Sequence, residues 1–285
     1  MTASDDVPTD SSAIGAFQGL EESNHPLFNK ALHYEDIGEP SDGGWLANQY
    51  ESGQTFDQFV QSGHYRPSPE RDTIYIQPIE DFESEESPPL GVLEAFAQLY
   101  FWMPVVIRPP IFPAKSEFTT RENPDNGEEQ LLTRDVVKYL GRQLPEDAFC
   151  LVGVSARDLY PKPSWNFVFG QAWPSERTGI YSFARYTGDG VKMALKRSMK
   201  VMAHEIGHLF GINHCLFYRC GMNGSNHLDE SDRRPIHLCP VDLRKLHWSV
   251  KFDPVHRYRQ LAAFYRQFGF EAEADWVRRR LSLVD

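Results

Sequence analysis

The sequence predicts an α/β layered domain built on a mostly parallel sheet. Short apolar or alternating segments of strand character recur between longer segments of helical periodicity, from TIYIQPI at 73–79 to the run that ends at Gly211. Hydrophobic residues make up 41% of the 285-residue chain and aromatics 13%, enough for a substantial buried core. No stretch approaches the roughly 20 apolar residues of a membrane-spanning helix.

The elements follow in order. Residues 1–24 are polar and acidic and read as disordered. Residues 25–70 mix aromatics with turn formers and read as a loop-rich extension that packs through Trp45, Tyr50, Phe56 and Phe59. TIYIQPI alternates and is the first strand. Residues 90–103 have helical periodicity, and 105–110 form a second strand. Residues 113–129, with Pro, Asn, Asp and Gly, read as a loop. A helix over 130–144 is stopped by Pro145. Residues 149–160 form a mostly apolar buried strand containing Cys150, a buried free thiol. NFVFGQAW at 166–173 and GIYSFARY at 179–186 are strands around a turn, and 194–211 is a long helix. Helices over 240–246, 254–268 and 273–283 complete the chain. The expected division is an extension over 1–70, a catalytic domain over 71–250 and a helical C-terminal extension over 251–285.

The formal net charge of −11 argues against nonspecific binding to nucleic acid or anionic membrane. The basic run Arg278-Arg279-Arg280 reads as a solvated helix face. MTASDDVPTDSSAIG has neither a basic nor an apolar signal region, so it is not a secretory leader. Three of the four cysteines have metal-ligand spacing, which suits a reducing compartment, cytosol or nucleus.

The chemistry concentrates at the end of the long helix. His204-Glu205-Ile206-Gly207-His208-Leu209-Phe210-Gly211-Ile212-Asn213-His214 reads H-E-x-x-H-x-x-G-x-x-H. His204 and His208 share a helix face, and Glu205 flanks them. Gly211 can adopt the left-handed conformation that ends the helix, which gives His214 a route to the same metal. Three imidazoles leave a fourth zinc position for water, the arrangement of a catalytic site. Residues 1–149 contain no cysteine, so no N-terminal thiolate can plug such a site in cis.

The motif is that of the metzincin peptidases, and the residues around it narrow the likeness. Cys215, Cys220, Met222 and the Cys239-Pro240-Val241-Asp242 element follow the histidines. PEDAFC at 145–150, DLYPKPSWNFVFGQA at 158–172 and GSNHLDESDRRP at 224–235 also resemble eukaryotic archaemetzincins. The resemblance implies a metzincin-like catalytic domain with a five-stranded, mostly parallel sheet, an antiparallel edge strand and C-terminal helices. It places Met222 beneath the catalytic zinc and implies a second, structural zinc held by four cysteines. Here the fourth position is Asp242, a harder ligand than thiolate. The expected second site is therefore Cys215, Cys220, Cys239 and Asp242, with His237 or His247 as alternatives to Asp242.

The resulting expectation is a zinc peptidase in which a zinc-bound water attacks the peptide bond and Glu205 acts as general base. Tyr181 and Tyr186 are candidate oxyanion donors. The substrate should pair with the sheet edge, which the resemblance puts at Phe167, Val168, Phe169, Gly170, Gln171, Ala172 and Trp173. Asn166 and Gln171 could contact its amides. An aminopeptidase would need a carboxylate for the α-amine, for which Asp189 and Glu176 are candidates. The partner expected is a peptide or protein substrate, with no nucleic acid or membrane, and the chain acting as a monomer. The competing reading is a catalytically weak zinc-binding interaction protein, motivated by Asp242.

Overall fold

The computed structural model describes residues 10–29, 33–63, 66–82, 87–186 and 188–285. Among them the strands are β1 (Thr73–Ile79), β2 (Val105–Ile107), β3 (Thr120–Glu122), β4 (Glu129–Leu132), β5 (Ala148–Ser155), β6 (Asp158–Tyr160), β7 (Gly170–Trp173) and β8 (Thr178–Ser182). The helices are α1 (Asp10–Ala13), α2 (His25–Phe28), α3 (Trp45–Asn48), α4 (Phe56–Gln61), α5 (Leu90–Phe101), α6 (Thr133–Gly141), α7 (Val191–Leu209), α8 (Leu228–Arg233), α9 (Pro240–Val250), α10 (Pro254–Gln267) and α11 (Glu271–Leu281). The chain forms two compact units, Tyr65–Gly211 and Met1–His64 with Ile212–Asp285.

The first unit holds the expected sheet, in the order β2-β1-β5-β8-β7. Neighbours run parallel except β7, which pairs antiparallel with β8 and forms one edge. Its central strand β5 is buried along its whole length, as a parallel strand covered on both faces must be. The register against β1 shifts at Phe149: Thr73 stands opposite Ala148 and the next residue, Ile74, opposite Cys150. Phe149 packs on Phe210, just past α7, at a ring separation of 4.3 Å, while Leu151 joins the cluster around Val136, Leu140 and Ile180. Cys150 is a buried free thiol, as expected.

A three-stranded sheet, β3-β4-β6, corrects the reading of 113–129 as loop and of 130–144 as helix. Gln130 is the reason. Its buried side-chain amide donates to Asp158 Oδ2 (2.7 Å) and to the Asn166 carbonyl (2.9 Å), so β4 lies beside β6 and the helix starts only at Thr133. The expected single strand over 149–160 is likewise two, separated where Ser155 Oγ accepts from the Arg157 amide. Strand β7 starts at Gly170 rather than at 166, because the Arg121 guanidinium holds the carbonyls of Pro163, Trp165 and Asn166.

In the second unit, α4 is closed by a capping box in which Thr55 and Gln58 satisfy each other's backbone amides. The expectation of disorder over 1–24 needs correction. Residues 1–9 lie outside the described residues, but Ala13 and Ile14 are buried, and Arg244 Nη2 donates to the Ala16 and Gln18 carbonyls. The basic run also divides. Arg278 and Arg279 are exposed, whereas Arg280 is fully buried, donates to the Pro26 and Leu27 carbonyls and lies 4.5 Å above the Tyr34 ring.

Candidate active site and metal centres

Helix α7 brings His204 and His208 to one face, where their Nε2 atoms converge to 3.0 Å. Phe210, stacked on Phe101 and packed on Phe149, fixes the end of the helix. Gly211 follows with φ 82°, a left-handed turn that a side chain would oppose, and its amide donates to the His208 carbonyl (2.8 Å). The turn brings a ring nitrogen of His214 to the same place, all three ligand atoms lying within 4.8 Å of one another. Two imidazole nitrogens aimed at one point, with a third alongside, fit a zinc ion of coordination open on one side.

Glu205 is buried at 4% exposure beside these histidines. Its carboxylate fills the space above Gly170 of β7, where an added Cβ would stand 2.6 Å from Oε1. The residue flanking the histidines is thus held against the sheet edge.

His214 has its own partner. Its Nδ1 lies 2.7 Å from Glu51 Oε1, and its ring meets the Trp45 ring edge-on at 5.0 Å. Burial works to raise the Glu51 pKa, but hydrogen bonds from His214 and Trp45 outweigh it and hold the carboxyl below its usual range.

The cysteines form a second cluster in which Cys215, Cys220, Cys239 and Asp242 are all buried, with ligand atoms within 4.8 Å of one another. Cys215 Sγ lies 3.5 Å from Cys239 Sγ, and Asp242 Oδ2 lies 3.2 Å from Cys220 Sγ and 3.5 Å from Cys239 Sγ. The Asp242 carboxylate is shared: Oδ1 accepts from Lys245 Nζ at 2.8 Å, and both side chains are almost wholly buried. Burial pushes the Asp242 carboxyl up to about 6, with the Lys245 ammonium opposing and the Cys215 sulfur adding to the rise. Burial also opposes the Cys215 thiolate, but hydrogen bonds from Cys220 and Cys239 win and bring its pKa well down. Three soft sulfurs and one oxygen, with no face open to water, fit a structural zinc. The Cys215 amide donates to the Met222 carbonyl (3.0 Å), tying the buried Met222 to the residue after His214. His237 lies flat on Trp276, with ring centroids 3.5 Å apart, and His247 sits between Phe28 and Phe252; Asp242 is the side chain whose oxygen the structure brings to the thiols.

Several other candidates are engaged elsewhere. Asn166 donates to Asp125, and Gln171 Oε1 accepts from Thr133 Oγ1 (2.6 Å). Asp189 pairs with Arg197 and Glu176 with Arg134, each at 2.6 Å. Tyr181 and Tyr186 are both buried. Sequence reasoning missed Glu51 and the space above Gly170, neither of which has a local signal. Lys245 could have been found, because it stands three residues after Asp242 on a predicted helix.

Comparison with known proteins places the chain among its relatives. Residues 137–248 match Peptidase family M54. Human Archaemetzincin-2 is 38% identical over an alignment of 293 positions that covers 87% of this chain and 80% of that protein. Mouse Archaemetzincin-1 is 31% identical over 78% of this chain and 52% of its own length. The crystal structure of Archaemetzincin from Methanopyrus kandleri matches with a TM-score of 0.54 and 26% identity, over 65% of this chain and 99% of that one. The chain belongs to the archaemetzincins of Peptidase family M54 and is a zinc metallopeptidase.

Proposed function

We propose that this peptidase uses Glu205 as its general base, beside a zinc ion held by His204, His208 and His214. The observation that carries the reading is the convergence of the histidine nitrogens next to a buried carboxylate seated on the edge strand. A zinc ion there would acidify a water molecule and polarise a peptide carbonyl. Glu205 would take a proton from the attacking water and pass it to the departing amine. Its confinement above Gly170 keeps the carboxylate beside any peptide that pairs with β7, whose outer side carries no neighbouring strand among the described residues. Backbone pairing of that kind aligns the scissile bond and leaves side-chain selection to the pockets around it.

In the same reading Cys215, Cys220, Cys239 and Asp242 hold a second, structural zinc. The shared burial of all four groups supports it, and so does the division of the Asp242 oxygens between the thiols and Lys245. The substitution at Asp242 alters this cluster and leaves His204, Glu205, His208 and His214 in place, which speaks against a purely zinc-binding interaction protein.

The test is Glu205→Ala in the full chain, assayed with a peptide library of free and N-acetylated members. Hydrolysis should fall by about 10²–10⁴-fold, while zinc at the histidines is retained. An undiminished rate on a peptide whose cleavage by the native protein is abolished by chelation would remove Glu205 from the role. Cleavage confined to free N-termini would identify an aminopeptidase.

A further inference from the structure

Residues 43–54, far from the histidine motif in sequence, are fastened to the segment that follows it. The Trp45 amide donates to both oxygens of Glu230 (2.8 and 3.1 Å), and Asn226 Nδ2 donates to the Gly43 carbonyl (3.1 Å). The Asn213 amide donates to Gln54 Oε1 (3.2 Å), one residue before the third histidine. Between these attachments Glu51 and Trp45 close on His214 from two sides, the carboxylate in the plane of hydrogen bonding and the indole edge-on. Both partners of the Glu51–His214 contact are largely removed from water, at 25% and 17% side-chain exposure.

We infer that Glu51 is a positioning residue for the metal-binding form of His214. The inference rests on the three-histidine reading of the catalytic zinc. A carboxylate accepting from Nδ1 places the imidazole proton on that nitrogen and leaves the Nε2 lone pair for the metal. His204 and His208 are held in place by the backbone of a long helix. His214 lies beyond the Gly211 turn and has no such scaffold, so its ring orientation depends on what grips it. Glu51 supplies that grip, together with a negative charge one imidazole away from the cation. The segment containing Glu51 is therefore part of the active site, though it contributes no ligand.

The test compares the full-length native protein with Glu51→Ala, Glu51→Gln and His214→Ala. Each metal-free protein is titrated with Co²⁺, whose thiolate complexes absorb strongly in the near ultraviolet and so separate the cysteine cluster from the histidine site. Glu51→Ala should weaken binding at the histidine site about 10–100-fold, with the cysteine-site titration unchanged. Long-range proton–nitrogen spectra should find His214 protonated at Nδ1 in the native metal-free protein and mixed between nitrogens in Glu51→Ala. A purely structural role for Glu51 would move the melting temperature without this tautomer change. Glu51→Gln is isosteric and carries the test if Glu51→Ala does not fold: its histidine-site affinity should drop severalfold at a native melting temperature. Unchanged affinity in the folded Glu51 variants overturns the inference. If His214→Ala binds Co²⁺ at the histidine site as tightly as the native protein, the three-histidine reading itself fails.

Discussion

The Glu205 carboxylate occupies the space that a side chain at Gly170 would fill: a Cβ on Gly170 would lie 2.6 Å from Oε1 and 2.7 Å from Cγ. The strand glycine and the helix glutamate are thus a matched pair. A backbone with no side chain at this point lets the carboxylate proposed as the base approach the edge along which a peptide would pair.

Gly170→Ala should therefore displace Glu205 while leaving the sheet intact, since β7 keeps its backbone pairing with β8. A misplacement on the order of 1 Å at a reacting group can cost about 100-fold in rate. The expected result is a drop of that size in kcat, with zinc content and melting temperature near native. A full-rate Gly170→Ala protein would show that Glu205 has room to move.

Lys245 and Asp242 form a buried ion pair 2.8 Å long within the cysteine cluster. Removing one partner of such a pair typically costs about 3–5 kcal/mol, because the other charge is left without compensation. Lys245→Met should impose this loss on the metal-free protein and a smaller one on the zinc-loaded protein, where the cation also balances Asp242. Denaturant unfolding with and without chelator measures both. Equal losses in the two states would mean that no metal sits beside Asp242.

The sequence alone suggests that Asp242→Cys should tighten the second zinc. The ion pair changes the design, because the single substitution deprives Lys245 of its carboxylate. The double variant Asp242→Cys with Lys245→Met should hold zinc more tightly than the native protein, and Asp242→Cys alone should be the less stable of the two when metal-free. Zinc per chain by elemental analysis, together with melting temperatures, distinguishes them. A native protein with one zinc and three reactive thiols would refute the site of three cysteines and one aspartate.

His247 sits between Phe28 and Phe252, with ring separations of 5.2 and 5.1 Å. Burial first, and then the charges of Lys251 and Arg244, bring its pKa down to about 4. The unfolded chain takes up this proton near pH 6.5 and the folded chain does not. The stability tied to His247 is therefore complete above pH 6.5 and is lost as the pH falls toward 4, by roughly 3 kcal/mol. His247→Phe should flatten the fall in unfolding free energy over this window relative to the native protein, both measured metal-free. Parallel pH profiles would disprove the contribution.

Removing residues 1–24 looks harmless from composition, since the segment is polar. The structure predicts otherwise. Ala13 and Ile14 are buried, and the buried Arg244 donates to the Ala16 and Gln18 carbonyls. Loss of one buried aliphatic side chain and of hydrogen bonds to a charged group amounts to about 3 kcal/mol. The truncated protein should melt several degrees lower and keep its rate per folded molecule. A large activation on truncation would instead reveal an inhibitory segment.

What was legible in the sequence depended on local chemistry. The spacing from His204 to His214 put two imidazoles on a helix face and a third past a glycine, because helical periodicity and the freedom of Gly211 act within a few residues. Alternation and apolar runs marked β1, β5, β8 and the long helix for the same reason. The small sheet of β3, β4 and β6 was not legible. Its strands span three or four residues, and a buried Gln130 resembles the polar face of a helix until Asp158 is placed beside it. The grip of Glu51 on His214 joins residues 163 positions apart, and the burial of Arg280 depends on carbonyls more than 250 positions away. Contacts of that span leave no periodicity in a chain. Only the tertiary fold decides them, since each depends on which distant backbone or side-chain group reaches a charge that water no longer satisfies.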